Sequence, residues 1–295
     1  MDAYKSCACM TDCNCETQPN SNVNPSSLIL MSNPSIPPRT ALVFLILATA
    51  AGADGAATVP GGQSLDQAAN DPTASLMAVQ FQNIYSGNYY HLHDASGNTV
   101  LLRPVVPFTT GPVSHIARAT IPYATLSPSG KTGLGDSVLF DLIVFNQSWG
   151  RWGIGPVLLL PTATDDALGA EKWAAGPALG FVARQPSLMW GLFNQNLFSF
   201  AGNDQRDEVK LSILQPILNY SLPHKWSIGT SEMNITYDWN KGAWANLPLG
   251  IKISKLHKFD RLPVQFSGSY EYNFANAEVA PEWSVNLTIK FLFPI

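Results

Sequence analysis

Residues 283–293 read Trp-Ser-Val-Asn-Leu-Thr-Ile-Lys-Phe-Leu-Phe, and a period of two separates the faces of this stretch as a β-strand does. Trp283, Val285, Leu287, Ile289, Phe291 and Phe293 share one face, while Ser284, Asn286, Thr288 and Lys290 share the other. The stretch before it repeats the pattern. In 262–274, Leu262, Val264, Phe266, Tyr270, Tyr272 and Phe274 oppose Gln265, Ser267, Ser269, Glu271 and Asn273. In 247–255, Leu247, Leu249, Ile251 and Ile253 oppose Gly250, Lys252 and Ser254. Such runs exceed the roughly five or six residues of an average soluble strand and approach the roughly ten that cross a bilayer.

Farther upstream the alternation is looser. Trp152, Ile154, Leu158 and Leu160 oppose Arg151, Gly153 and Gly155; Trp173, Leu179 and Phe181 oppose Lys172, Gly176 and Gly180; and Val138, Phe140, Leu142 and Val144 oppose Ser137 and Asp141. The apolar face is read as facing lipid and the polar face as facing a lumen. The candidate lumen-lining residues are therefore Asp141, Arg151, Lys172, Lys252, Gln265, Glu271 and Lys290. Aromatic residues mark the ends of several apolar faces, as interfacial girdles do. The girdle candidates are Trp152, Trp173, Trp226, Tyr272, Trp283 and Phe293.

Connections of two lengths alternate along the chain. Short ones are expected at 109–112, 147–150, 185–187, 221–224 and 258–260, and longer ones near 86–97, 124–133, 162–171, 201–207, 239–246 and 275–281. Transmembrane barrels join their strands in this way, with tight periplasmic turns and longer extracellular loops. The expected fold is all-β, a transmembrane antiparallel β-barrel of about 12 strands over 76–295. The first strand, around 77–85, is the weakest, and ten strands is the fallback.

Composition agrees with this reading. Charged residues are 13% of the 295, against about 25% in soluble domains, and Gly and Pro number 22 each. The formal net charge of -4 includes no basic run able to neutralise a row of phosphates, so nucleic acid is not expected as a partner. No stretch of about 18 uninterrupted apolar residues reads as a helical span.

The N-terminal region reads as an upstream extension and signal peptide over 1–53. Residues 41–51 form an apolar run of signal-peptide length, Arg39 precedes it, and Ala51-Gly52-Ala53 gives an A-x-A cleavage pattern before Asp54. Met31 is read as the translation start. The four cysteines, Cys7, Cys9, Cys13 and Cys15, would then be absent from the mature protein, although their C-x-C spacing could gather thiolates around a metal. Residues 54–75, rich in Ala, Gly, Gln and Asp without periodicity, are expected to be a flexible periplasmic leader.

Several segments resemble one bacterial family in order: Gly133-Leu134-Gly135-Asp136, Trp152 to Pro156, Pro161 to Asp166, Lys172-Trp173 with Gly176-Pro177, Trp190 onward through Ser199 to Asp204, Leu214-Gln215-Pro216 and Phe291 to Pro294. The chain resembles the outer-membrane transporter group called the MetA-pathway of phenol degradation family, some members of which carry the label neuromedin U. The resemblance spans about 75–295 and implies an outer-membrane barrel associated with uptake of small, often aromatic molecules.

The expected function is passive passage of small solutes, hydrophobic or aromatic ones included, through a barrel in the bacterial outer membrane, without cofactor, catalytic residue or metal. Its expected partners are outer-membrane lipid and lipopolysaccharide, the barrel assembly machinery and the solute. A structural barrel with a closed lumen and a barrel hydrolase stay open as alternatives. Against the hydrolase, His91, His93, His115, His224 and His257 are accompanied by no G-x-S-x-G nucleophile motif. The acidic residues Asp165, Asp166, Asp204 and Asp207 fall in expected loops, where oxygen ligands for calcium and turn formation are both available readings.

Overall fold

A computed structural model describes residues 58–59 and 63–293. The expectations for the start at Met31, the signal peptide and the four cysteines lie outside the described residues.

Twelve antiparallel strands form a closed barrel. They are β1 (Met77–Tyr89), β2 (Leu92–Thr110), β3 (Val113–Leu126), β4 (Ser137–Gln147), β5 (Gly150–Leu160), β6 (Lys172–Arg184), β7 (Leu188–Gly202), β8 (Lys210–Leu222), β9 (Trp226–Thr230), β10 (Pro248–Phe259), β11 (Leu262–Asn273) and β12 (Pro281–Phe293). Each pairs with its neighbours in sequence, and β12 returns to β1 with Phe293 opposite Met77 and Leu287 opposite Asn83. The first strand is thus the seam that closes the sheet. Closure removes the unpaired edges that a spanning sheet could not leave in lipid.

The two face sets of the C-terminal strands sort as their sequence directs. Leu249, Ile251, Ile253, Val285, Leu287 and Ile289 are exposed on the outer wall, whereas Ser254, Gln265, Ser284 and Asn286 are buried inside. The short connections also fall where expected, with turns at Gly111, at Ser148–Trp149 and at Asp260–Arg261.

Four expectations are corrected. Residues 63–76 are not an unstructured leader: Gln63–Ser64 pair with Thr58–Val59, and helix α1 (Leu65–Asn70) follows inside the barrel. Leu65, Ala68, Ala69, Ala74 and Leu76 are buried against Leu256 and Leu292 of the inner wall. This segment lacks periodicity because it is a folded-back coil whose partners come from distant strands.

Asp141 does not face the lumen. In β4 the inward side chains are Phe140, Leu142 and Val144, all buried, and Asp141 lies on the outer wall with the exposed Leu139 and Phe145. Apolar residues occupy both parities of β4, so a period of two cannot tell the faces apart there.

The stretch 86–97 is not a long loop, because β1 and β2 continue through it and turn tightly at Tyr90–His91. Asn88, His91 and Asp94 take positive φ angles of 51°, 64° and 54°, which allows that turn without glycine. The expected loop 239–246 likewise holds the second strand of a hairpin, with Ile235–Asp238 paired to Ala243–Asn246.

Between β9 and that hairpin the wall is irregular. β8 pairs with Trp226–Gly229 through Asn219–Leu222 and with Ile235–Asp238 through Leu211–Leu214. Residues 215–218 have no ladder partner on that side, and residues 231–234 cross the interval as a bulge. Bulges re-aim side chains, and this one carries Glu232 toward the lumen.

Candidate functional site: the barrel lumen

The lumen is built from the inward parity of twelve strands, and three kinds of packing divide it. One is apolar. Ile116, Phe140, Leu142, Val144, Val157, Phe193 and Leu197 of β3 to β7 form a buried cluster, with the Phe140 and Phe193 rings 5.1 Å apart. It fills the side of the lumen on which the sequence alternation is loosest.

The second is the inserted segment and its anchors. Gln67 Nε2 donates to the carbonyls of Gln185 and Pro186 at 3.0 and 3.1 Å, and Ser221 Oγ donates to Asp66 Oδ2 at 2.8 Å. Both contacts are with short turns, so α1 sits at the short-turn end of the barrel. Arg151 Nη1 donates to Gln63 Oε1 at 3.2 Å and lies 3.9 Å from Asp71 Oδ2, with both charged side chains buried. Arg184 reaches the same Gln63 oxygen at 3.3 Å, and Lys290 Nζ donates to the Ala69 carbonyl at 2.8 Å. A buried cation without a partner is costly, so these wall charges and the carbonyls of an irregular segment satisfy each other.

The third is a polar cluster near mid-wall. Arg103 Nη1 donates to Glu232 Oε2 at 2.5 Å and to Gln82 Oε1 at 2.8 Å. Arg118, Lys252 and Lys290 are near enough to act electrostatically on the same carboxylate. Among the described residues Arg118 forms no salt bridge; its guanidinium stacks 4.5 Å above the Phe140 ring. Glu271 accepts from Asn286 Nδ2 at 3.2 Å within reach of this cluster. A cavity of about 90 Å³ lies beside it, lined by Arg118, Lys252, Lys290, Glu232 and Asn219, by Asn70 and Asp71 of the inserted segment, and by small and aliphatic residues.

Of the lumen candidates, Arg151, Lys172, Lys252, Gln265, Glu271 and Lys290 point inward. Arg151 and Lys290 hold the inserted segment, and Lys252 and Lys290 line the cavity. Lys172 is buried near the long-loop end of its strand. Asp141 pairs outside the barrel with His115, Nδ1 to Oδ2 at 3.0 Å, and the imidazole stacks on Phe108 at 4.7 Å. Among the described residues no serine or threonine hydroxyl bonds to His115.

The girdle candidates lie on the outer wall at two levels. Trp152, Trp226 and Phe293 stand near the short turns, and Trp173, Tyr272 and Trp283 near the long-loop end. Trp152 stacks on Phe145 at 4.4 Å, and Trp283 stacks on Tyr270 at 6.4 Å.

Arg103, Arg118, Asn219 and Glu232 are absent from the sequence-derived set. For Arg103 and Arg118 a signal exists, since Arg103 interrupts the apolar run 100–106 and Arg118 is the one Lys, Arg, Asp or Glu of β3. Glu232 has none, because its direction depends on the bulge.

Among solved structures, the chain is similar to an outer membrane channel from Pseudomonas putida F1, with a TM-score of 0.54 and 13% identity over 74% of this chain and 94% of that one. The fold is that of an outer-membrane barrel. Similarity to the outer membrane phospholipase A from Escherichia coli has a TM-score of 0.41 at 7% identity, over 74% of this chain and 89% of that one. A mutant porin of Rh. blastica matches with a TM-score of 0.27 at 12% identity, over 74% of this chain and 99% of that one. At such identities the likeness concerns the fold alone, and the two lower scores carry no argument. No protein-family model and no curated relative matches the chain.

Proposed function

We propose that the chain is a channel of the bacterial outer membrane for passive passage of small solutes, narrowed at its short-turn end by residues 63–76. The observation that carries this reading is the charged cluster beside a cavity in mid-lumen. A barrel serving only as a wall gains nothing from several cations buried beside empty space, because an apolar filling of the same volume is as stable or more so. A hydrated path removes the cost by letting water and solute solvate the charges. The similarity to an outer membrane channel is consistent with it. The family resemblance adds hydrophobic and aromatic molecules as the solute class, and the aliphatic lining of the cavity suits them. Lipid, lipopolysaccharide and the barrel assembly machinery are the partners this reading requires.

The packing of Phe140, Phe193 and Leu197 favours the second reading, a structural barrel with a closed lumen. Planar-bilayer recording from refolded protein separates the two. The channel gives discrete current steps. Silent membranes from protein whose folding is verified by its gel-mobility shift would leave the closed barrel.

A further inference from the structure

The mid-lumen cavity has a sign and a shape. Four cations, Arg103, Arg118, Lys252 and Lys290, are grouped with two carboxylates, Glu232 and Glu271. Among the described residues only Arg103 closes a salt bridge with either acid. Lys290 is held by the Ala69 carbonyl, and among the described residues Arg118 and Lys252 make no hydrogen bond or ion pair. Asp71 also lines the cavity, but its carboxylate lies 3.9 Å from Arg151, so the uncompensated charge at the cavity is positive.

Asn219 is an independent pointer. Its side chain is 3% exposed, lines the cavity, and leaves both Oδ1 and Nδ2 without a partner. A buried amide with neither end satisfied is costly unless something absent from the protein alone meets it. The opposite lining is apolar, with Ala74, Ala78, Val105, Ile116 and Leu292.

We propose that this cavity is a binding site for a small organic carboxylate with a short aliphatic body, which deepens the channel reading by naming a solute class and rests on it. The carboxylate accepts from the Asn219 amide and meets the Arg118, Lys252 and Lys290 cations. The hydrocarbon lies against Val105, Ile116 and Leu292. A cation is repelled by the net charge, and a neutral alkane would leave the polar side unsatisfied. A fully hydrated inorganic anion forgoes the apolar contact. The volume of about 90 Å³ sets the size at a few carbons.

The test uses full-length refolded protein in planar bilayers under potassium chloride, with butyrate, its uncharged isostere butyramide, or inorganic phosphate added. Butyrate is expected to interrupt the current at concentrations at least 10-fold below those at which butyramide or phosphate does so. Asn219→Leu and Lys252→Met, each with a wild-type gel shift, should each weaken that block at least 10-fold, while Lys241→Met in a loop hairpin leaves it unchanged. Equal block by butyrate and butyramide, or by butyrate and phosphate, overturns the carboxylate site while the channel stands. If the barrel carries no current, the channel reading fails by itself. Calorimetric titration of the folded protein with butyrate then decides the site: heat lost in Asn219→Leu supports it, and its absence from the wild type overturns it.

Discussion

Asp141 and His115 place a charge-capable pair on a wall that meets lipid. A carboxylate there is expensive alone and tolerable with a partner, so the cost of removing one residue depends on which one remains. His115→Ala is expected to destabilise the barrel by about 1 kcal/mol, because the Asp141 carboxyl group loses its hydrogen-bond partner on the hydrocarbon-facing wall. The double replacement His115→Phe with Asp141→Leu is expected to be neutral or stabilising. Urea unfolding in phospholipid vesicles measures both, and a double variant less stable than His115→Ala contradicts the account. Asp141 also marks where sequence reading ends. In Ser-Val-Leu-Phe-Asp-Leu-Ile-Val-Phe the charge points to a lumenal face, yet both parities are apolar, and the lumen takes Phe140 and Leu142 because they fit its packed side.

At the scale of the strand, β10 shows why the C-terminal hairpins were legible and the inserted segment was not. Leu249, Ile251 and Ile253 alternate with Gly250, Lys252 and Ser254, so a single one-residue shift in register would put every side chain on the wrong face. That pattern is local and needs no knowledge of the partner strands. Ile251→Arg is expected to cost about 2 to 4 kcal/mol if its depth is near the bilayer centre, whereas Lys252→Ile, on the inner face, should fold normally. Equal losses in the two variants, measured by refolding yield into vesicles, contradict the assignment of faces. Residues 63–76 are stabilised by Arg151, Arg184, Gln185 and Lys290, from 78 to 221 residues away in sequence, and no local pattern announces such contacts. With Arg151→Met the anchor at Gln63 and Asp71 is lost. Conductance should rise at least about twofold if the segment narrows the path, and an unchanged current would detach it from gating. The cavity was legible in part by the same logic: Lys252 and Lys290 follow from alternation, while Glu232 depends on a bulge between two short strands.

The whole molecule tests the inside-out arrangement on which each functional statement depends. Around the barrel the outer wall exposes Phe81, Leu139, Ile154, Leu179, Leu218, Leu249, Ile251 and Leu287, belonging to strands that follow one another around the sheet. A monomeric soluble protein rarely exposes a contiguous apolar patch of more than a few hundred Å², and a band that encircles the molecule is larger than any such patch. Polar side chains meanwhile line the interior beside its apolar cluster, with Gln80, Gln82, Arg103, Asn219, Gln265 and Asn286 buried. Water therefore cannot be the solvent in which this arrangement is stable: it would meet hydrocarbon outside while the polar groups inside held only one another. Lipid reverses both terms, since the closed sheet leaves no open edge and the apolar band matches the bilayer core. No helix among the described residues is long and apolar enough to cross a membrane. Residues 54–295 are expected to fold in detergent micelles or phospholipid vesicles, showing a heat-sensitive gel shift, and to aggregate when diluted from urea into plain buffer. A monodisperse soluble monomer with the strand content of the barrel would contradict the lipid-facing wall, and with it the channel and its carboxylate site.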